Sequence, residues 1–274
     1  MAQARKGQPL STTILDAHAH ILHPNLNGAG GNHVMHQSSP TQIHQLARRM
    51  GVDRVGIMSW NGIMTPDPDD GNQCVTQALD AVPDFFWGLA TFDTIHDPPL
   101  TLLQKMTRTF ADPRFLGLKP YPTFGYHYDH PRYIPWWHFA NDVGLYAALH
   151  PNTWDLAEFD NLCPKYPNVT FIAYHAGRDY HVADAVIDKA KKYPNFLAEI
   201  TYTSVCMGII DYLAQHAGPD RILYGSDLPM RDPRPQLGWV VYARLPVEHK
   251  QMILGRNMLK LINKVQANRG KTRL

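Results

Sequence analysis

Short apolar runs ended by turn or polar residues recur along the chain, each followed by a stretch with helical spacing. Eight such runs are predicted strands: residues 13–21, 52–60, 86–92, 115–121, 145–150, 169–175, 196–202 and 221–227. Helical patterns lie at 41–50, 73–82, 99–110, 132–143, 155–163, 181–193, 204–217 and 246–265. Ser39, Pro40 and Gly51 read as cap, first turn and stop of the first helix, and Gly144 as the stop of the helix over 132–143. Strand and helix in strict alternation predict a parallel sheet with crossover helices, and eight units close into a barrel. The expected fold is therefore α/β, a single-domain (β/α)8 TIM barrel over 13–265. A flexible polar lead-in over 1–12 and a polar tail over 266–274 flank it. An open doubly wound sheet is the alternative, disfavoured because no phosphate-binding glycine loop follows the first strand.

Composition narrows the classes. At 274 residues and 44% hydrophobic, the chain can bury a large core. A formal net charge of +2 gives no reason to expect a nucleic-acid or membrane partner. No apolar run is long enough to span a bilayer. Residues 1–12 lack the apolar centre of a signal peptide. The three cysteines, Cys74, Cys163 and Cys206, are scattered and odd in number, which fits structural thiols in a reducing cytoplasm.

Candidate chemistry collects where the predicted strands end. In a parallel barrel all C-terminal strand ends meet at one mouth, where sites form. The first strand ends in His18 and His20, whose i, i+2 spacing puts both imidazoles on one side with Asp16. The fourth ends in Lys119, the fifth in His150, the sixth in His175 and the eighth in Asp227. Each alone has an ordinary structural explanation, and with 15 histidines in the chain position must decide. Together, four histidines and a carboxylate at strand ends are hard to explain as coincidence and point to a metal site. Lys119 reads first as a substrate-binding cation or a residue near the ligands, with a ligand once carbamylated or a lysine reaching out to the rim as alternatives.

Asp16-Ala17-His18-Ala19-His20, the histidines ending strands five and six, and Gly225-Ser226-Asp227 resemble the amidohydrolase superfamily. The resemblance is closest to its amidohydrolase-related branch, with aminocarboxymuconate-semialdehyde decarboxylase-like enzymes. Gly117-Leu118-Lys119-Pro120 and the closing Asn257-Met258-Leu259 match as well, so the likeness runs from 13 to about 263. It implies His18, His20, His150 and Asp227 as ligands of one ion, most often zinc, with manganese, iron or cobalt as alternatives. It implies His175 as orienting group or acid/base, or, with Lys119, as part of a binuclear site. Asp227 and His175 are the expected catalytic residues.

The loops at the same rim carry Trp60, Tyr121, Trp154, Arg178 and Arg231. Arginine forks and aromatic walls suit a small carboxylic acid or lactone. Arg178, Lys119, Trp60, Trp154 and Arg231 are the substrate-binding candidates. Glu199, three residues before the end of its run, reads as a structural ion pair with Lys119 or an arginine. The first functional expectation is a hydrolase in which metal-activated water attacks a small carboxylate-bearing lactone, ester or amide. The second is a non-oxidative decarboxylase of an aromatic or unsaturated acid, and the third a barrel that binds without catalysis. Assembly is left open between monomer and homodimer.

Overall fold

The computed structural model describes residues 3–8, 10–22, 39–65, 67–201 and 205–271. Eight parallel strands follow one another around a sheet in sequence order. They are β1 (Leu15–Ile21), β2 (Arg54–Ser59), β3 (Phe86–Ala90), β4 (Phe115–Leu118), β5 (Tyr146–Leu149), β6 (Thr170–Ala173), β7 (Phe196–Glu199) and β8 (Ile222–Leu223). The seam between β8 and β1 is closed by Ala17 N–H donating to Tyr224 O at 3.0 Å and Asp227 N–H to His18 O at 2.8 Å. Ala19 also bridges to Leu228. This is the expected barrel. Its strands are shorter than the apolar runs, because the ladder ends before the apolar residues do.

The outer layer holds α1 (Pro40–Arg49), α2 (Trp60–Met64), α3 (Pro68–Ala81), α4 (Pro99–Phe110), α5 (Ile134–Val143) and α6 (Glu158–Lys165). It continues with α7 (Tyr180–Lys192), α8 (Ile209–His216), α9 (Pro233–Tyr242), α10 (Val247–Gln251) and α11 (Asn257–Arg269). Ser39 closes a reciprocal capping box with Gln42, and Pro40 opens α1. Two helices, α2 and α9, lie where the sequence pattern predicts none. Trp60 opens α2 rather than ending a strand, with Ser59 as its cap. In α9 two prolines and a glycine obscure the pattern, yet both prolines sit in the first turn, where no intrahelical N–H is needed. The run over 246–265 is not one helix: a π-helical segment, Met252–Arg256, separates α10 from α11. Arg269 ends α11 by donating to the carbonyl oxygens of Phe110, Asp112, Pro113 and Phe115. The tail expected from residue 266 is thus helical as far as Arg269.

One continuous core fills the space inside the barrel and between barrel and helices. Gly117 on β4 pairs with Tyr146 on β5, and its missing side chain leaves room for the tyrosine ring. The Tyr146 hydroxyl then accepts from Trp87 Nε1 at 2.8 Å. Cys74 and Cys163 are buried and Cys206 is exposed. Among the described residues no helix is long and apolar enough to cross a membrane.

Candidate active site

His18 and His20 leave β1 on one side, as the alternation predicts. Asp227 arrives from the segment after β8, four residues beyond the last strand residue. The side chains meet: His18 Nε2 lies 3.2 Å from His20 Nε2 and 3.4 Å from Asp227 Oδ1, and His20 Nε2 lies 3.0 Å from the same oxygen. Two donors each ~2.1 Å from an ion and subtending 90–109° lie about 3.0–3.4 Å apart. The trio therefore has the edge lengths of a coordination shell, and His18, His20 and Asp227 form a buried group able to hold a metal ion.

Two short braces hold this arrangement, and neither was assigned such a role from sequence. Asp16 is fully buried and accepts from Ser226 N at 3.0 Å, Ser226 Oγ at 2.5 Å and His18 N at 3.0 Å. It ties the start of the histidine pair to the segment that delivers Asp227. Glu199 is the last residue of β7 and fully buried. Its Oε2 lies 3.2 Å from His18 Nδ1, while Oε1 accepts from Thr201 N at 2.6 Å and from Thr201 Oγ1. The expected pairing of Glu199 with Lys119 or an arginine is thus replaced by one with His18. A carboxylate against Nδ1 fixes the tautomer that leaves Nε2 with its lone pair toward the trio.

Asp227 and His175 both have backbone angles in the left-handed region, with φ of 59° and 65°. For residues with a side chain this is uncommon and carries strain, and it gathers at functional positions. Here it turns the chain just after the strand ends and keeps both side chains at the mouth. His175 Nδ1 faces Thr201 O at 2.9 Å. A carbonyl only accepts, so Nδ1 carries the proton and Nε2 of the neutral ring is the basic nitrogen.

His150 stands outside the trio. Its ring lies 4.8 Å from that of His175, 5.1 Å from Tyr121 and 5.8 Å from Trp154. The substrate-binding candidates surround the same mouth. Trp60 packs edge-on against His20 at 5.0 Å, and the Arg178 guanidinium lies 4.4 Å over the Trp154 ring. Arg231 Nε is 4.0 Å from Asp227 Oδ2. Lys119, one residue past β4, is buried and places Nζ 3.9 Å from the centre of the Tyr174 ring. Tyr174 in turn stacks on His18 at 4.0 Å.

The electrostatics favour neutral imidazoles around an anion. Burial holds His18 and His20 below the usual histidine range. Burial, with His175 and Lys119 nearby, brings His150 down to about 2. Burial and His18 bring His175 down to about 4. Burial pushes the Asp227 carboxyl up, but His18, His20 and His175 around it hold it well below the carboxylate range. Burial draws the Lys119 ammonium down to about 7, against the pull of Asp227 and Glu199. Bare imidazole nitrogens and an ionised carboxylate are the protonation states that a divalent cation requires.

A barrel whose first strand and eighth segment present such a trio is the architecture of a metal-dependent enzyme superfamily. The chain belongs to the amidohydrolase family, which it matches over residues 15–263. Its fold is similar to that of 5-carboxyvanillate decarboxylase from Sphingomonas paucimobilis, with TM-score 0.67, 16% identity, and 92% of this chain and 99% of that one covered. It is similar to a dihydroxybenzoic acid decarboxylase from Polaromonas sp. JS666 with bound manganese and the inhibitor 2-nitroresorcinol (TM-score 0.69, 15% identity, coverage 92% and 97%). It is also similar to 4-oxalomesaconate hydratase from Rhodopseudomonas palustris (TM-score 0.67, 16% identity, coverage 93% and 97%). No curated protein matches the sequence.

Proposed function

We propose that the protein is a metal-dependent, non-oxidative decarboxylase of a small aromatic or unsaturated carboxylic acid. The observation that carries this reading is the meeting of His18 Nε2, His20 Nε2 and Asp227 Oδ1 within 3.4 Å of one another, beside the anchored His175 ring. His18, His20 and Asp227 would hold the ion, with His150 as the expected fourth donor. A divalent ion held there would supply Lewis acidity toward the charge that develops as carbon dioxide leaves. Manganese in a structural neighbour makes it a candidate beside zinc.

His175 supplies the proton. Its Nδ1–H is held by Thr201 O, so Nε2 accepts a proton from substrate or solvent and returns it. The bond between the carboxyl carbon and the rest of the acid breaks, and its electron pair stays on the carbon left behind. The proton on Nε2 then completes the new C–H bond. Arg178 over Trp154 and Arg231 beside Asp227 would hold the acid at the mouth.

Decarboxylation is preferred over hydrolysis because neighbours covering nearly the whole chain include decarboxylases of 5-carboxyvanillate and of dihydroxybenzoic acid. The test is metal-reconstituted protein incubated with a panel of hydroxylated benzoic acids and a panel of lactones, esters and amides. Carbon dioxide from the acids, lost in His175→Asn, is the expected result. Release of alcohol or amine instead, with no carbon dioxide, would establish the hydrolase.

A further inference from the structure

We infer that Lys119, with the apolar wall of Leu22, Trp60, Ile63, Tyr121 and Met230, forms the subsite that selects the substrate. The ammonium receives an anionic oxygen of an aryl or dienyl acid, and the wall takes its flat body. This deepens the decarboxylase reading and rests on it.

Lys119 is 1% exposed, and its Nζ has no hydrogen-bond acceptor among the described residues. Three N–H donors are therefore buried without an acceptor among the described residues, beside the aromatic faces of Tyr174 at 3.9 Å and Tyr121 at 5.8 Å. Such faces compensate a cation only in part, and a buried charge without an acceptor is costly. The nearby carboxylates have other work, Glu199 on His18 and Thr201, and Asp227 on His20. A purely structural role at this position would be met as well by methionine. The Tyr174 ring stands between the ammonium and His18, and Lys119 is close enough to His18, His20 and Asp227 for their charges to interact, which places it at the same mouth as the trio.

The wall is a second, independent feature. Leu22, Trp60 and Ile63 form a buried apolar cluster separate from the main core, with Tyr121 and Met230 packed against it. Its members come from the segments that follow β1, β2, β4 and β8, all at the C-terminal mouth. Trp60 presses on His20, and its Nε1 is a further buried donor with no acceptor among the described residues. A planar acid with a ring oxygen answers both features: apolar faces to the wall, the carboxylate to Lys119 and the ring oxygen to Trp60.

The test is calorimetric titration of manganese-reconstituted protein with 2,6-dihydroxybenzoate and with resorcinol, which has the same ring and hydroxyls without the carboxylate. The wild type is expected to prefer the acid. Lys119→Met should lose affinity for the acid by roughly 10- to 150-fold, the factor for one charged hydrogen bond, and leave resorcinol unchanged. Lys119→Gln should behave alike, and both variants should bind manganese and melt at or above the wild-type temperature, since a buried unpaired charge has gone. An unaltered acid-to-resorcinol ratio in the variants, loss of manganese with that ratio intact, or no preference in the wild type would overturn the subsite. A Lys119-dependent preference without carbon dioxide release would sink the decarboxylase and keep the subsite.

Discussion

Glu199→Gln tests the brace on which the trio of His18, His20 and Asp227 depends. In the wild type one carboxylate oxygen faces His18 Nδ1 at 3.2 Å, and the other accepts from Thr201 N at 2.6 Å. Glutamine keeps the volume but has a single acceptor atom. If its oxygen faces Thr201, its NH2 group opposes the His18 Nδ1–H; if it faces His18, the NH2 group opposes the Thr201 N–H. Either way a fully buried donor loses its partner, which costs about 1–3 kcal/mol. The first arrangement also drives His18 toward the tautomer with a proton on Nε2, which cannot ligate. Removing an outer carboxylate of this kind typically lowers metal affinity about 10–100-fold, or about 1.4–2.7 kcal/mol. Competition titration against a chromophoric chelator measures the affinity. Calorimetric unfolding of the metal-free protein measures the stability, with an expected drop of roughly 2–4 °C per kcal/mol for a chain of this order of size. A variant that melts early but binds metal as tightly as the wild type would refute the coupling of Glu199 to His18.

Further outcomes follow from the packing. In Gly225→Ala the new methyl group collides with the Glu199 carboxylate and lies 2.9 Å from His18 Cβ, so metal affinity should fall as in Glu199→Gln by the same titration. In Gly117→Ala the methyl group meets the Tyr146 ring at 2.5 Å; overpacking of this kind costs about 1–3 kcal/mol, read as a lower urea midpoint. Asp160 accepts from Lys189 at 2.7 Å, Lys192 at 3.0 Å and Tyr193 at 2.7 Å. Partial burial pushes its carboxyl up, but these donors bring it down to about 2. A carboxylate depressed in the folded state stabilises above its unfolded pKa and loses that contribution as pH falls toward the folded one. Asp160→Asn should therefore be less stable than wild type at pH 6, with the gap closing between about pH 4 and pH 2 in urea unfolding.

The barrel was legible because strand and helix alternate with little interruption, and because His18, His20, Lys119, His150, His175 and Asp227 fall where strand runs end. Apolar pattern locates burial rather than ladder bonds, so the apolar runs extend past the strand ends. The run over 196–202 set Glu199 in mid-strand and gave it a structural role. The ladder stops at Glu199 itself, which brings its carboxylate to His18. Likewise β8 is only Ile222–Leu223, and Asp227 reaches the mouth through a left-handed turn that no periodicity announces. The Asp16–Ser226 brace spans 210 residues of sequence and exists only because β1 and β8 meet at the seam. Its one signal is that Asp16 and Ser226 are further polar positions inside the first and eighth strand runs.

The most direct measurement is anomalous diffraction at the zinc edge from crystals of the protein with one equivalent of zinc. The account predicts a single strong peak about 2.0–2.2 Å from His18 Nε2, His20 Nε2 and Asp227 Oδ1. A map with no peak there, or with its strongest peak elsewhere in the molecule, would contradict it.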